Sequence, residues 1–317
     1  MKKVAVLVLT LSLLASTGFA QDKYPSRPVT TIVGFAAGGA GDAMSRLVAE
    51  TAREKRGAIV AVEFKPGAGA TIGAGQVARS KPDGYTLGFY AGSPFLTAPH
   101  MQRVPYDVRK DFTFITVYCA ISLAAYVKAD SPFKTFKDVV AYARANPGKL
   151  RWSTATPRGS AEIMTTAAFR HEGVQTTLVP FGGGSEAIIA LLGGHIDLSV
   201  SSDYGPQLNA GNLRVLAETG SIKIPNMANI PTFAELGYPI AETQKYGLFG
   251  PAGLPKEVVN YWEKLILEMT KTPAYDAALK KMWFTPIYED SPVFTRSVHE
   301  AYQRFGEAIE TLGLRSK

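Results

Sequence analysis

The groups in this chain best placed to do chemistry are backbone amides rather than side chains. Two glycine-rich stretches, Gly34-Phe35-Ala36-Ala37-Gly38-Gly39-Ala40-Gly41-Asp42 and Lys65-Pro66-Gly67-Ala68-Gly69-Ala70-Thr71, each follow an apolar run and each open an amphipathic segment. At a strand-to-helix turn the first helical N–H groups lack an intrahelical acceptor and lie at the positive end of the helix dipole. Glycine lets a ligand approach such a backbone closely. A single turn of this kind reads as a tight loop; two in adjacent units predict a cradle for a carboxylate or phosphate. Asp42 would repel that ligand and is expected to cap or brace its loop instead. Two later turns have the same character, Ser153-Thr154-Ala155-Thr156-Pro157-Arg158-Gly159-Ser160 and Phe181-Gly182-Gly183-Gly184-Ser185. Hydroxyls and amides there could meet the far end of a ligand. Arg158 could grip a second carboxylate in a two-pronged contact or lie solvated in its loop. Phe35 and Phe181 could sandwich an apolar ligand body or belong to the core or the cleft rim.

Side-chain catalysis finds less support. Gly67-Ala68-Gly69 with Gly73 faintly matches a dinucleotide turn, but the next apolar run, Thr86–Tyr90, is followed by Ala91-Gly92-Ser93 and not by the acidic residue such a site needs. There is no Gly-Lys-Ser/Thr phosphate loop and no Gly-x-Ser-x-Gly elbow. The histidines, His100, His171, His195 and His299, are scattered without metal-ligand spacing. Cys119, the single cysteine, sits in the apolar run Phe114–Ala125 and reads as a buried structural thiol. No catalytic residue, cofactor or metal is expected.

The elements that must position these turns alternate. Val29–Phe35, Ile59–Phe64 and Thr86–Tyr90 read as strands, with helices over Asp42–Arg53 and about Thr71–Ser80. Repeated strand–helix–strand units imply a parallel sheet covered by helices, with both first turns at its carboxyl edge, where ligands bind. A second such unit starts near Leu123, with strands at Ala124–Val127, Leu150–Thr154, Thr177–Pro180, Ile196–Val200 and Leu213–Glu218. Its helices are expected over Phe136–Asn146, Ser160–His171 and Ser185–Leu192. After a strand at Tyr246–Phe249, three helical stretches, near Lys256–Lys271, Pro273–Met282 and Pro292–Thr311, close the chain. Helix-only sequence cannot build a third sheet, so it should pack on the first unit. The expected fold is α/β and two-lobed, with residues 21–122 and 245–317 in lobe one and 123–244 in lobe two. Such folds bind in the cleft and close by hinge motion.

Residues 1–20 read as a signal peptide. Lys2 and Lys3 precede the apolar stretch Val4–Leu14, and Gly18-Phe19-Ala20 offers a cleavage site. That stretch, like every later one, falls short of the roughly 18 apolar residues of a membrane helix. Of 317 residues, 46% are apolar and 19% charged, which suits a well-buried α/β protein. The net charge of +7 falls to +5 without Lys2 and Lys3. No basic stripe with interleaved aromatics points to nucleic acid.

Across the mature chain, several stretches resemble one family. They are Tyr24-Pro25-Ser26-Arg27-Pro28, the first glycine loop ending in Asp42, Pro66-Gly67-Ala68-Gly69 and Pro82-Asp83-Gly84-Tyr85-Thr86-Leu87, then Asn146-Pro147-Gly148-Lys149-Leu150 and Leu191-Leu192-Gly193-Gly194-His195-Ile196-Asp197. Pro231-Thr232-Phe233-Ala234-Glu235-Leu236-Gly237 and Pro251-Ala252-Gly253-Leu254-Pro255 complete the set. The chain resembles the Bug family, the extracytoplasmic receptors of tripartite tricarboxylate transporters. The resemblance implies a type II-like Venus-flytrap periplasmic binding protein without catalysis, a monomer that takes a small organic carboxylate and passes it to integral-membrane transporter subunits. It places the carboxylate between Phe35–Gly41 (Ala37, Gly38, Gly39 and Ala40 included) and Pro66–Thr71 (Gly67, Ala68, Gly69 and Ala70 included), with Ser93 beside them. Thr154, Thr156, Arg158, Gly159 and Ser160, with Phe181 and Gly183, would form the variable wall, and Asp203 or Tyr204 would reach in. The chain departs from the pattern where Ala37 replaces proline, Ala70 replaces glycine, and Thr156-Pro157-Arg158-Gly159 replaces a Gly/Ser-rich turn; the last points to a dicarboxylate, an aromatic one included. A sensor subunit docking a membrane histidine kinase would use the same surface, and the sequence does not separate the two; an α/β enzyme is the weaker alternative.

Overall fold

The computed structural model describes residues 24–225 and 227–315; the expected signal peptide, with its cleavage near Ala20, lies outside them. Strand β1 (Val29–Val33) leads into α1 (Ala40–Arg56), and β2 (Val60–Phe64) leads through a 3-10 turn (Ala68–Ala70) into α2 (Thr71–Ala78). Next come β3 (Thr86–Tyr90), the short α3 (Ser93–Leu96) and α4 (Ala98–Met101), and β4 (Phe112–Ile121). The second lobe runs β5 (Ala124–Lys128), α5 (Phe136–Ala145), β6 (Arg151–Thr154), α6 (Ser160–His171), β7 (Thr177–Leu178), α7 (Gly184–Leu192), β8 (Leu198–Ser201), α8 (Gly205–Asn209) and β9 (Leu213–Glu218). The chain returns on β10 (Gln244–Pro251) and ends with α9 (Lys256–Met269), α10 (Pro273–Met282), β11 (Thr285–Glu289) and α11 (Ser291–Thr311).

Two sheets result, ordered β11-β4-β10-β3-β1-β2 and β7-β6-β8-β5-β9. The strand–helix–strand units pair in parallel as expected, β1 with β2 and β3, and β6 with β7 and β8. The sheets are nevertheless mixed, which corrects the purely parallel expectation. The chain leaves the first sheet along β4 and returns beside it along β10, so these strands run antiparallel, with Gln244 opposite Ile121. On the other side of the crossing β5 and β9 do the same, with Ala124 opposite Glu218.

The helix-only reading of the C-terminal segment is also corrected, because β11 pairs antiparallel with β4 at the sheet edge. The strand carries Pro286, tolerated where one side of the ladder faces no partner. Helices cover both faces of the first sheet. On one, α1, α9 and α10 bury Val48, Leu87, Ile115 and Trp262; on the other, α3 and α11 bury Phe95, Phe114, Phe294 and Phe305. Strand β4 lies between these layers, with every residue but Thr113 buried. Cys119 within it is fully buried, and burial pushes its thiol well above the usual range. Among the described residues, no helix is long and apolar enough to cross a membrane.

Candidate functional site

A cavity of about 280 Å³ lies between the two lobes. Three helices of different parentage open onto it: α1 at Gly39–Gly41, α6 at Gly159–Ala161 and α7 at Gly182–Gly184. All three have glycine as N-cap, and none of these caps makes a side-chain hydrogen bond. Side-chain caps are found on α5 (Thr135), α10 (Thr272) and α11 (Asp290), while α2 and α9, like the cavity helices, have none. The cavity helices share a second device. The acid in the third helical position accepts the amide just before the cap: Gly38 N–H to Asp42 Oδ2, Arg158 N–H to Glu162 Oε2 and Gly182 N–H to Glu186 Oε2, each 2.9 Å. Each loop is thus braced from outside while the first-turn amides stay open to the cavity. Asp42 does what its position implied, bracing rather than binding.

Among the lining residues there is no Lys, Arg or His. An anion here would be met by dipoles and hydroxyls. Ser160, in the first turn of α6, is 3% exposed and its hydroxyl has no hydrogen-bond partner. A buried hydroxyl costs free energy until it is bonded, so Ser160 is an open valence in the wall. Asp203 is the sole carboxylate in the lining. Burial raises its pKa above the usual carboxylate range. Among the described residues, no group of three or more His, Cys, Asp or Glu could hold a metal ion.

Of the residues singled out in the sequence, Phe35, Gly39, Ala40, Gly41, Ser93, Thr156, Gly159, Ser160, Gly183 and Asp203 line this cavity. Ala68, Gly69 and Arg158 line a neighbouring one of about 140 Å³ that shares Ser93, Thr156 and Gly159 with the first. The two glycine loops do meet: a Cβ on Gly34 would strike the backbone and side chain of Ala70. The remaining residues fall outside both walls. Ala37 and Gly38 sit on the outer turn of their loop, and Gly67 lies under Ile72. Ala70 is buried, and Thr71 Oγ1 donates to the Ala68 carbonyl. Thr154 Oγ1 donates to the Thr156 carbonyl, and Phe181 packs on the cluster of Ile188 and Tyr204. Tyr204 is fully buried in that cluster, so Asp203 alone of the pair reaches the cavity. The Arg158 guanidinium is directed to carbonyls of the first lobe, at Met101 (3.5 Å) and Leu314 (3.4 Å), rather than to the main cavity. The floor was not read from the sequence: Ile121, Leu123, Gln244 and Tyr246 come from the two crossing segments. Their signal was the lobe crossing itself, since chain that passes between lobes must border the cleft.

Two α/β lobes joined by paired crossings, with an amide-lined cavity between them, define a two-lobed binding protein. The chain belongs to the tripartite tricarboxylate transporter family of receptors, whose family model matches residues 44–314. It is 33% identical over 314 residues to the UPF0065 protein of the gbd 5′ region of Cupriavidus necator, covering 98% of this chain and 95% of the relative. The fold is that of the periplasmic binding protein BugD, with 28% identity, a TM-score of 0.80 and coverage of 93% and 100% of the two chains. It is also that of R. palustris Rpa4515 solved with adipate, at 26% identity, a TM-score of 0.81 and coverage of 92% and 98%. The motif resemblance to the Bug family holds.

Proposed function

We propose that this protein is a periplasmic solute receptor that captures a small organic carboxylate in the cavity between its lobes and delivers it to integral-membrane transporter subunits. The ligand class is a di- or tricarboxylate or an aromatic acid, and the protein acts as a monomer without catalysis or cofactor. Export would follow cleavage near Ala20, and the lobes would divide at 122/123 and 244/245, where the chain crosses between sheets. The observation that carries this reading is the convergence, on one cavity between the lobes, of three helix N-termini with glycine caps, each braced from its own third helical position. A single glycine-capped terminus is unremarkable; three converging on one cavity make a preformed anion hole. The unbonded Ser160 hydroxyl supports it, and so does the adipate held by a relative of the same fold. In this reading Phe35, Gly39–Gly41, Ser93, Thr156, Gly159, Ser160, Gly183 and Asp203 touch the ligand, and the smaller cavity at Ala68, Gly69 and Arg158 extends the site for longer acids. The test is a thermal-shift panel of aliphatic and aromatic organic acids followed by calorimetry. A ligand that binds only the folded state raises the melting point by mass action. A panel in which no acid stabilises the protein would remove the receptor reading.

A further inference from the structure

The three helix termini of the cavity are not equivalent. Those of α1 and α6 meet it beside the hydroxyl-bearing residues Thr156 and Ser160, with Ser93 of α3 in the same wall. The terminus of α7 already has an anion on it: the Asp203 carboxylate lies against Gly184, so closely that a Cβ there would collide with Oδ2. The other acids around the cleft, Asp42, Glu162 and Glu186, each accept an amide of their own loop. Asp203 instead accepts none from the loop ahead of it. Its backbone N–H donates to Ser201 Oγ (3.2 Å), leaving the carboxylate on the cavity wall with no Lys, Arg or His lining the same space.

A second ligand carboxylate at this end would meet the Asp203 carboxyl in a partly enclosed, weakly screened space, where two carboxylates repel strongly. A hydroxyl or ammonium would meet an acceptor that, beside the neighbouring Ser201 hydroxyl, still has lone pairs to offer. Resting on the receptor reading above, we infer that the cavity is polarised. It takes an acid whose carboxylate sits at the α1 and α6 termini and whose other end carries a hydrogen-bond donor received by Asp203. The preferred class is therefore hydroxy or amino carboxylates over dicarboxylates of equal length, which keeps the carboxylate receptor reading but departs from its dicarboxylate option. Gly184 is part of the device, because only a residue without a side chain leaves room for the carboxylate on the first turn of α7.

The experiment is calorimetry at pH 7.5 with two matched series: butyrate, 4-hydroxybutyrate, 4-aminobutyrate and succinate, then hexanoate, 6-hydroxyhexanoate, 6-aminohexanoate and adipate. Wild type is compared with Asp203→Asn, whose fold is checked by its unliganded melting point. In wild type the donor-bearing acid of one series should bind at least tenfold tighter than the dicarboxylate of that series. In Asp203→Asn the gap should close or invert, since an amide N–H can donate to a carboxylate. Three results would overturn the inference: a dicarboxylate that binds wild type as tightly as its donor-bearing partner, a preference unchanged in Asp203→Asn, or dicarboxylate binding with uptake of one proton, which would make Asp203 a neutral donor. The ranking in wild type stands whether or not the variant folds. Failure of every acid in both series, and of the wider panel, would strike the receptor reading itself, whereas dicarboxylate preference strikes only the polarity.

Discussion

Ser160 occupies the first turn of α6 with its hydroxyl shut away from solvent and unbonded. Truncating it should not lower the unliganded melting point, because Ser160→Ala deletes an unsatisfied polar group rather than a bond. The same change should weaken the bound carboxylate by about tenfold or more, since a hydrogen bond to a charged group contributes about 1.5–3 kcal/mol; melting curves and calorimetry on one sample would show both. A second residue acts from behind the cavity floor. Glu218 ends β9, 3% exposed, and its Oε1 accepts the amides of Leu123, on the first crossing segment, and of Gly220, in the loop after β9. Its Oε2 has no partner, and burial pushes its pKa up to about 8. With the folded value above the unfolded one, the folded state holds the extra proton. Its contribution to stability is complete below about pH 4.5 and is lost as the pH rises toward 8. Glu218→Gln should therefore gain on wild type across that window, by on the order of several degrees in melting point at pH 8, and the gap should stop growing above it. Parallel melting curves from pH 5 to 9 would reveal a flat difference if the carboxyl titrates normally.

At the scale of elements, the three cavity helices trade local stability for an open terminus. The backbone at Gly39 is extended and a Cβ there meets nothing within 4 Å, so glycine is required by the ligand and not by the fold. Gly39→Asp should cap α1, leaving the unliganded melting point equal or slightly raised, because aspartate exceeds glycine as a cap by only a few tenths of a kcal/mol. It should abolish carboxylate binding by placing a rival anion on the terminus. A variant that still bound acids in calorimetry would show that α1 is not part of the anion hole. These turns were legible in the sequence because glycine clusters between an apolar run and an amphipathic one leave few other readings. Strand β4 was not: buried on both faces, Phe112–Ile121 lacks the alternation that marks a strand. Strand β11 was missed for a different reason. Pro286 argues against a ladder, and only an edge position makes it acceptable. Sequence spacing also could not say that Tyr204 turns into the core while its neighbour Asp203 turns out, because both follow β8 within one irregular turn.

For the whole molecule, bonds from the second lobe to the first tie α6 and the loop before it to the C-terminal segment and α4. Arg170 Nη1 donates to the Leu312 carbonyl at 2.7 Å, and Arg158 makes the longer contacts at Met101 and Leu314. Neither guanidinium lines the main cavity. Arg170→Ala should therefore weaken every acid by a common factor, about two- to tenfold for the loss of one hydrogen bond of modest net worth, through a smaller population of the closed form. Calorimetry across several ligands would expose any change in rank order, which would mean the residue reads the ligand after all. Arg158 was read from the sequence as a possible second carboxylate clamp; its left-handed backbone at φ 58° and its reach across the cleft could not be inferred from a lone arginine in a turn.

The absence of a cation from the cavity lining has a consequence for how the ligand is let go. A guanidinium or ammonium would have to be parted from its counter-ion, and the strength of that grip would follow the ionic strength of the surroundings. On the proposed reading the grip comes from peptide dipoles whose orientation is fixed by the chain, and water can take up those same N–H groups the moment the lobes part. Uptake should thus run nearly as well in brine as in dilute medium, with the dissociation constant moving by less than about threefold between 50 mM and 500 mM NaCl, and discharge at the membrane would need only separation of the lobes.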